Sequence, residues 1–211
     1  RVGIVGRTGS GKSTLLRAIA GLLNPAAGRV YIDHDPIDTM SEAELRASLC
    51  VIPQTPHLFG GTIRFNLDPV QKRSDEELWG AIRQVHAEAF VGRTAAGLET
   101  PISGTSLSAG ERQLLCLARA MLQRASVILL DEATAALDDD ALLAVDAALS
   151  ACAATATVIL VAHQTTAVRR SDRVVVMEHG LVVQDGSPSE LLQDAGGAYA
   201  SFVRQDARRL E

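Results

Sequence analysis

The sequence predicts an α/β domain in which a mostly parallel sheet is flanked by helices and interrupted by a helical insertion. Three observations carry that prediction. Short, continuous apolar runs recur from end to end, amphipathic helical patterns separate them, and a glycine-rich segment joins the first run to the first helix. The runs fall at 2–5, 30–32, 49–52, 127–130, 158–161 and 174–177. A strand that is apolar on successive rather than alternate residues is covered on both faces, as parallel strands between helix layers are.

Residues 13–23 and 109–122 carry apolar side chains at three-to-four spacing, and 139–149 does so more weakly, which predicts helices there. Asn24-Pro25 is expected to stop the first of them. Helix starts are marked by Ser74 with Glu77, Ser108 with Glu111, and Ser187 with Glu190, three capping boxes, the last with Pro188 at the first helical position. Residues 147–162 form the least polar window, too short and too weakly apolar for a membrane span, and read as a helix end followed by a buried strand. Gly180 between β-branched runs at 173–177 and 181–184 predicts a hairpin. From 53 to 104 helical patterns dominate with no clear strand, which gives the insertion.

Composition narrows the function classes. A chain of 211 residues that is 47% hydrophobic and 21% charged buries a full core and is neither disordered nor collagen-like. Lys and Arg number 20 against 25 Asp and Glu, and the net charge of −5 has the wrong sign for gripping nucleic-acid phosphates over a broad face. One Trp, two Tyr and four Phe also argue against a base-stacking platform. Cys50, Cys116 and Cys152 are odd in number and widely separated in apolar stretches, which suits neither a disulfide framework nor a zinc site and fits a reducing, cytosolic compartment. The chain opens on Arg1 and runs straight into an apolar strand, with the expectation of no signal peptide and of a domain cut from a longer protein.

Between the first apolar run and the first helix stands Gly6-Arg7-Thr8-Gly9-Ser10-Gly11-Lys12-Ser13, with Thr14 next. This is the phosphate-binding loop pattern in its strand-to-helix setting. Glycines let backbone N–H groups turn toward a β-phosphate, Lys12 brings a cation to the β and γ oxygens, and Ser13 offers a hydroxyl to Mg²⁺. The run at 127–130 ends in Asp131-Glu132, two carboxylates at the carboxyl edge of a buried strand, where open α/β sheets bind ligands. Asp131 would hold Mg²⁺ through water and Glu132 would polarise the water that attacks a γ-phosphate. Alone the pair competes with a solvated strand end that caps the next helix; beside a phosphate loop the ligand reading prevails. Leu107-Ser108-Ala109-Gly110-Glu111-Arg112-Gln113 opens the helix at 109–122 and makes a second anion-attracting helix start. One nucleotide needs one such cradle, and on spacing alone an ordinary capped core helix is the better reading.

With these residues in this order the sequence resembles the nucleotide-binding domains of ABC ATPases, over nearly its whole length. Gln54 matches the family's Q-loop, 107–111 its LSGGQ-type signature, Ala136-Leu137-Asp138 its D-loop and His163 its switch histidine. The resemblance implies a P-loop NTPase fold, with a core at 1–53 and 105–211 and the Q-loop with its helical subdomain at 54–104; the family's first antiparallel strands and its adenine-stacking aromatic residue fall before Gly6, outside this sequence. It implies that Gly6, Arg7, Thr8, Gly9, Ser10, Gly11, Lys12, Ser13 and Thr14 bind ATP, that Ser13, Gln54 and Asp131 hold Mg²⁺, and that Glu132, His163 and Gln54 carry catalysis. It further implies that Ser108, Ala109, Gly110 and Glu111 close over the ATP of a second nucleotide-binding domain in a head-to-tail sandwich, with Asp138 reporting across the interface.

A finer resemblance, to the second nucleotide-binding domain of C-subfamily multidrug-resistance-associated exporters, rests on the strings at 3–15, 58–69 and 111–120. It implies hydrolysis of ATP to power export of organic anions, conjugates or drugs, transmembrane domains on the same polypeptide, no nucleic-acid partner, and a place at the cytosolic face of a membrane. Ala109 and Glu111 depart from the consensus Gly and Gln of the signature; a methyl and a carboxylate beside a partner's γ-phosphate are expected to weaken closure over that site. Gln164 replaces the Arg usual after the switch histidine, and Pro101 an acidic residue usual before the signature. Two other readings compete: an ATP-gated regulatory module, against which Asp131, Glu132 and His163 speak, and a soluble ABC ATPase of DNA repair or translation, which would carry coiled-coil insertions, iron–sulfur cysteines or basic arms.

Overall fold

The structure is a computed structural model that describes residues 1–93, 95–102, 107–132, 137, 139–162 and 165–207, with the side chains of Thr166 and Ala167 left out. In chain order, β1 (Val2–Val5) leads through the glycine loop into α1 (Lys12–Ile19). This helix ends at Ile19 rather than near residue 23, because Gly21 takes a left-handed φ of 71° just past the Ala20 cap, ahead of Asn24-Pro25. A small ribbon of β2 (Tyr31–Ile32) and β3 (Asp35–Pro36) follows, so the apolar run at 30–32 pairs locally instead of joining the main sheet. Next come α2 (Glu42–Ser48) and β4 (Leu49–Ile52).

The insertion contains α3 (Ile63–Leu67), α4 (Asp75–Gln84), α5 (Glu88–Val91) and a 3₁₀ turn at Gly97–Glu99. Two short strands, β5 (Gly61–Thr62) and β6 (Pro101–Ile102), pair antiparallel at its base. At two residues each they are too short to show a strand period, which is why the sequence gives no sign of them. The remainder runs α6 (Ala109–Gln123), β7 (Val127–Asp131), α7 (Asp139–Ala153), β8 (Thr157–Val161), α8 (Thr165–Val168), β9 (Arg173–Glu178), β10 (Leu181–Gly186), α9 (Pro188–Gln193) and α10 (Ala198–Ala207).

The main sheet has the order β10-β9-β1-β8-β7-β4, with β10 antiparallel at one edge and the other five strands parallel. Helices cover both faces, as the continuous apolar runs predict. On β7, Ile128 and Leu130 point into a core shared with α6, α7 and the insertion, while Leu129 joins Ile4, Val161 and Leu16 of α1 on the opposite face. Register aligns the carboxyl ends of the strands: Ile4 lies opposite Val161, Val161 opposite Asp131, and Leu130 opposite Ile52. The loops that leave β1, β8, β7 and β4 therefore emerge side by side.

Candidate functional site

The glycine loop leaves the buried end of β1 with Gly6 against the β9–β10 hairpin. A Cβ on Gly6 would lie 2.2 Å from the Met177 carbonyl oxygen and 2.7 Å from Ser10 Oγ, so no other residue fits there. The hairpin tip also holds the loop from above, since Gly180 N–H donates to the Ser10 carbonyl at 3.1 Å. Arg7, Thr8 and Gly9 form an exposed crest, whereas Ser10 is buried and its Oγ has no hydrogen-bond partner. Gly11, at φ 99°, occupies the N-cap of α1 without any side-chain cap, which leaves the first N–H groups of that helix facing the loop.

Lys12 is 5% exposed and folds back over the loop, donating from Nζ to the carbonyls of Gly6 at 2.8 Å and Arg7 at 3.1 Å. Burial pushes its ammonium pKa down, and the nearby carboxylates of Glu132 and Asp131 hold it back up. A cation, free helix N–H groups and an orphaned hydroxyl thus meet in one concave loop, a setting made for an anion.

Asp131 closes β7, and its buried Oδ1 has no hydrogen-bond partner. Glu132 follows with φ 52°, a left-handed conformation that a non-glycine residue adopts only when its surroundings hold it there. They do: Glu132 N–H donates to the Val161 carbonyl at 3.0 Å, continuing the β7–β8 ladder one residue past the strand. Gln54, exposed just beyond β4, places Nε2 3.4 Å from Glu132 Oε2. The structure thus brings Gln54, Asp131, Glu132, Lys12 and the loop to one sheet edge. The D-loop residues Ala136 and Asp138 and the switch histidine His163 lie outside the described residues; β8, which leads to His163, ends at the same edge.

The segment that resembles the family signature opens α6. Ser108 is its N-cap: Oγ accepts from Glu111 N–H at 3.1 Å and the Glu111 carboxylate accepts from Ser108 N–H at 2.8 Å. The other oxygen of that carboxylate pairs with Arg93, so the charge expected to oppose a phosphate is offset by a guanidinium from the insertion. Gly110 is a packing glycine, since a Cβ there would lie 2.6 Å from Cβ of Ala141 on α7. Arg93 and the Met177–Gly180 buttress escape sequence reasoning, being joined to the site by no local pattern.

A family profile described as ABC transporter matches residues 1–135. Among curated proteins the chain is similar to ATP-binding cassette sub-family C member 2 of Homo sapiens, 42% identical over 98% of this chain and 13% of that protein. It is also similar to sub-family C member 10 of Mus musculus, 45% identical over 90% of this chain and 13% of that one, and to ABC transporter C family member 7 of Arabidopsis thaliana, 38% identical over 97% and 14%. A solved structure of a bacterial Atm1-family ABC exporter with ATP bound superposes with a TM-score of 0.87 at 32% identity, over 98% of this chain and 37% of that one. The chain belongs to the ABC transporter family and is an ATPase domain of that family. Such domains bind ATP and generally use Mg²⁺. The chain spans only 13–14% of the length of these curated relatives.

Proposed function

We propose that this chain binds ATP with Mg²⁺ at the glycine-loop edge and hydrolyses it to drive export of organic anions, conjugates or drugs through transmembrane domains of the same polypeptide. The observation that carries the proposal is the convergence of Lys12, Asp131, Glu132 and Gln54 on one sheet edge, with Glu132 held in a strained backbone conformation. In this reading residues 6–14 hold the polyphosphate, with the Lys12 ammonium swinging from the carbonyls of Gly6 and Arg7 onto the β and γ oxygens. The unpartnered Asp131 Oδ1, with Ser13 and Gln54, fits a hydrated Mg²⁺, which when bound neutralises charge on the transferring phosphoryl group. Glu132 accepts a proton from the attacking water, Gln54 helps orient that water, and His163 donates a hydrogen bond to the γ-phosphate.

Ser108, Ala109, Gly110 and Glu111 serve the ATP of a second nucleotide-binding domain, with Asp138 at the contact between domains. That the two anion-attracting helix starts open different helices, α1 and α6, supports a head-to-tail pair. A groove of about 420 Å³ between the 55–60 segment and the start of α6, lined by Leu58, Phe59, Ile102 and Leu107, supports docking of transmembrane domains on the insertion, with the chain at the cytosolic face. The likeness to a bacterial Atm1-family ABC exporter with ATP bound favours the exporter reading over the regulatory and soluble ones. Steady phosphate release by the full-length transporter in liposomes, abolished in Glu132→Gln with ATP binding retained, is the expected result. Undiminished turnover in that variant removes Glu132 from its role.

A further inference from the structure

We infer that Arg93 is a positioning residue for the segment at 108–111, where it offsets the charge of Glu111 so that the start of α6 can still receive a phosphate. The inference rests on the reading of 108–111 as the cover of a second domain's ATP. The first bond of the α6 ladder runs from Arg112 N–H to the Ser108 carbonyl at 3.1 Å, and Ser108 Oγ accepts from Glu111 N–H at 3.1 Å. The N–H groups of Ala109 and Gly110 are therefore the ones this helix start leaves to an outside anion. Glu111 stands in the same first turn with its side chain 17% exposed, and its Oε2 folds back to accept from Ser108 N–H at 2.8 Å. A helix start acts like about half a positive charge. One full negative charge set against it in a mostly buried carboxylate reverses the sign, and an incoming γ-phosphate is repelled rather than drawn in.

Arg93 restores the positive sign. Its Nη2 pairs with Glu111 Oε1, the carboxylate oxygen that the cap leaves over, so the turn as a whole regains about half a positive charge. Among the described residues the guanidinium has no other partner. The backbone beneath it is held: Arg93 follows α5, whose Val91 is fully buried, and the N–H groups of Gly92 and Arg93 donate to the carbonyls of Glu88 at 2.8 Å and Phe90 at 3.3 Å. An ion pair in which one side chain is 63% exposed contributes little to folding. Its effect is electrical, and it joins two segments 18 positions apart. A glutamate in place of the consensus glutamine is tolerated in this chain because an arginine from the insertion accompanies it.

The test is a double-mutant cycle in the full-length transporter in liposomes, read as the ATP concentration that gives half-maximal turnover. Arg93→Ala is expected to raise that concentration about threefold at low ionic strength, the size of effect one charge has at a helix end, and the rise is expected to shrink as salt is added. The pair is made through a single nitrogen, so Arg93→Lys is expected to recover most of the loss. In a Glu111→Gln background, where the amide keeps the cap and drops the charge, Arg93→Ala is expected to have no further effect. If Arg93→Ala fails to fold, Arg93→Gln, which keeps the stem and loses the charge, takes its place. A parent-like Arg93→Ala, a rise that salt does not diminish, or an equal rise in the Glu111→Gln background overturns the inference; the last would make Arg93 a phosphate ligand in its own right. Ala109→Asp is measured alongside, since aspartate suits the first turn of a helix but sets a carboxylate beside the place of the phosphate. Full turnover in it sinks the reading of 108–111, whereas impaired turnover there with a silent Arg93→Ala sinks only the role of Arg93.

Discussion

Gly6 shows why the glycine loop has so little freedom at single positions. Any Cβ would meet the Met177 carbonyl at 2.2 Å, a backbone atom that cannot step aside without moving β9. Gly6→Ala is therefore expected to weaken ATP binding by an order of magnitude or more while leaving Glu132 chemistry unaltered, measured as a rise in KM rather than a fall in kcat. Lys12 makes a pH prediction. Its folded pKa is lowered by burial, so as pH rises the folded protein loses this proton before an ordinary lysine would. The charged form is the one that attracts phosphate, so ATP affinity is expected to be full at neutral pH and to fall on the alkaline side, earlier than the ordinary lysine range. Titration calorimetry across that range checks it, and Lys12→Arg removes the fall by keeping the charge at all accessible pH.

At the scale of elements, capping explains what was legible. Ser74, Ser108 and Ser187 each close a box with a glutamate three residues on, and such patterns are written within one turn. Ser41 with Glu44 forms a fourth that the sequence reading missed, because α2 buries no residue and shows no apolar face to flag it. The Thr165 N–H and hydroxyl at the start of α8 both donate to Asp206 Oδ2 of α10 at 2.6 Å, a cap illegible for a different reason: donor and acceptor are brought together only by the packing of α10 against α8. Two substitutions at α6 test the element. Ser108→Ala removes the cap and is expected to cost about 1 kcal/mol in unfolding free energy. Gly110→Ala forces its methyl onto Ala141 of α7 and is expected to cost about 1–3 kcal/mol, as overpacking does; both are read by denaturant titration.

At the scale of the whole molecule, the sheet order turns scattered sequence marks into one edge. Gln54, Asp131 and Glu132 are spread over 79 positions, and only the parallel pairing of β4, β7, β8 and β1 sets their strands' ends beside the loop at 6–14. The strands of the main sheet and the α/β class could be read from apolar runs, whereas β3, β5 and β6 could not. The order of strands could not, since no local pattern encodes which strand lies next to which. The domain also offers two anion-attracting helix starts, those of α1 and α6, where one triphosphate needs one, which is the physical reason to expect a second domain. Among the described residues no helix is long and apolar enough to cross a membrane. The most direct measurement is a structure of the full-length Glu132→Gln transporter with ATP and Mg²⁺. The triphosphate is expected along Gly9–Ser13 with Lys12 Nζ on its terminal oxygens and the residue 132 side chain facing the γ-phosphate; a triphosphate bound away from that loop, or residue 132 turned from it in the closed state, contradicts the account.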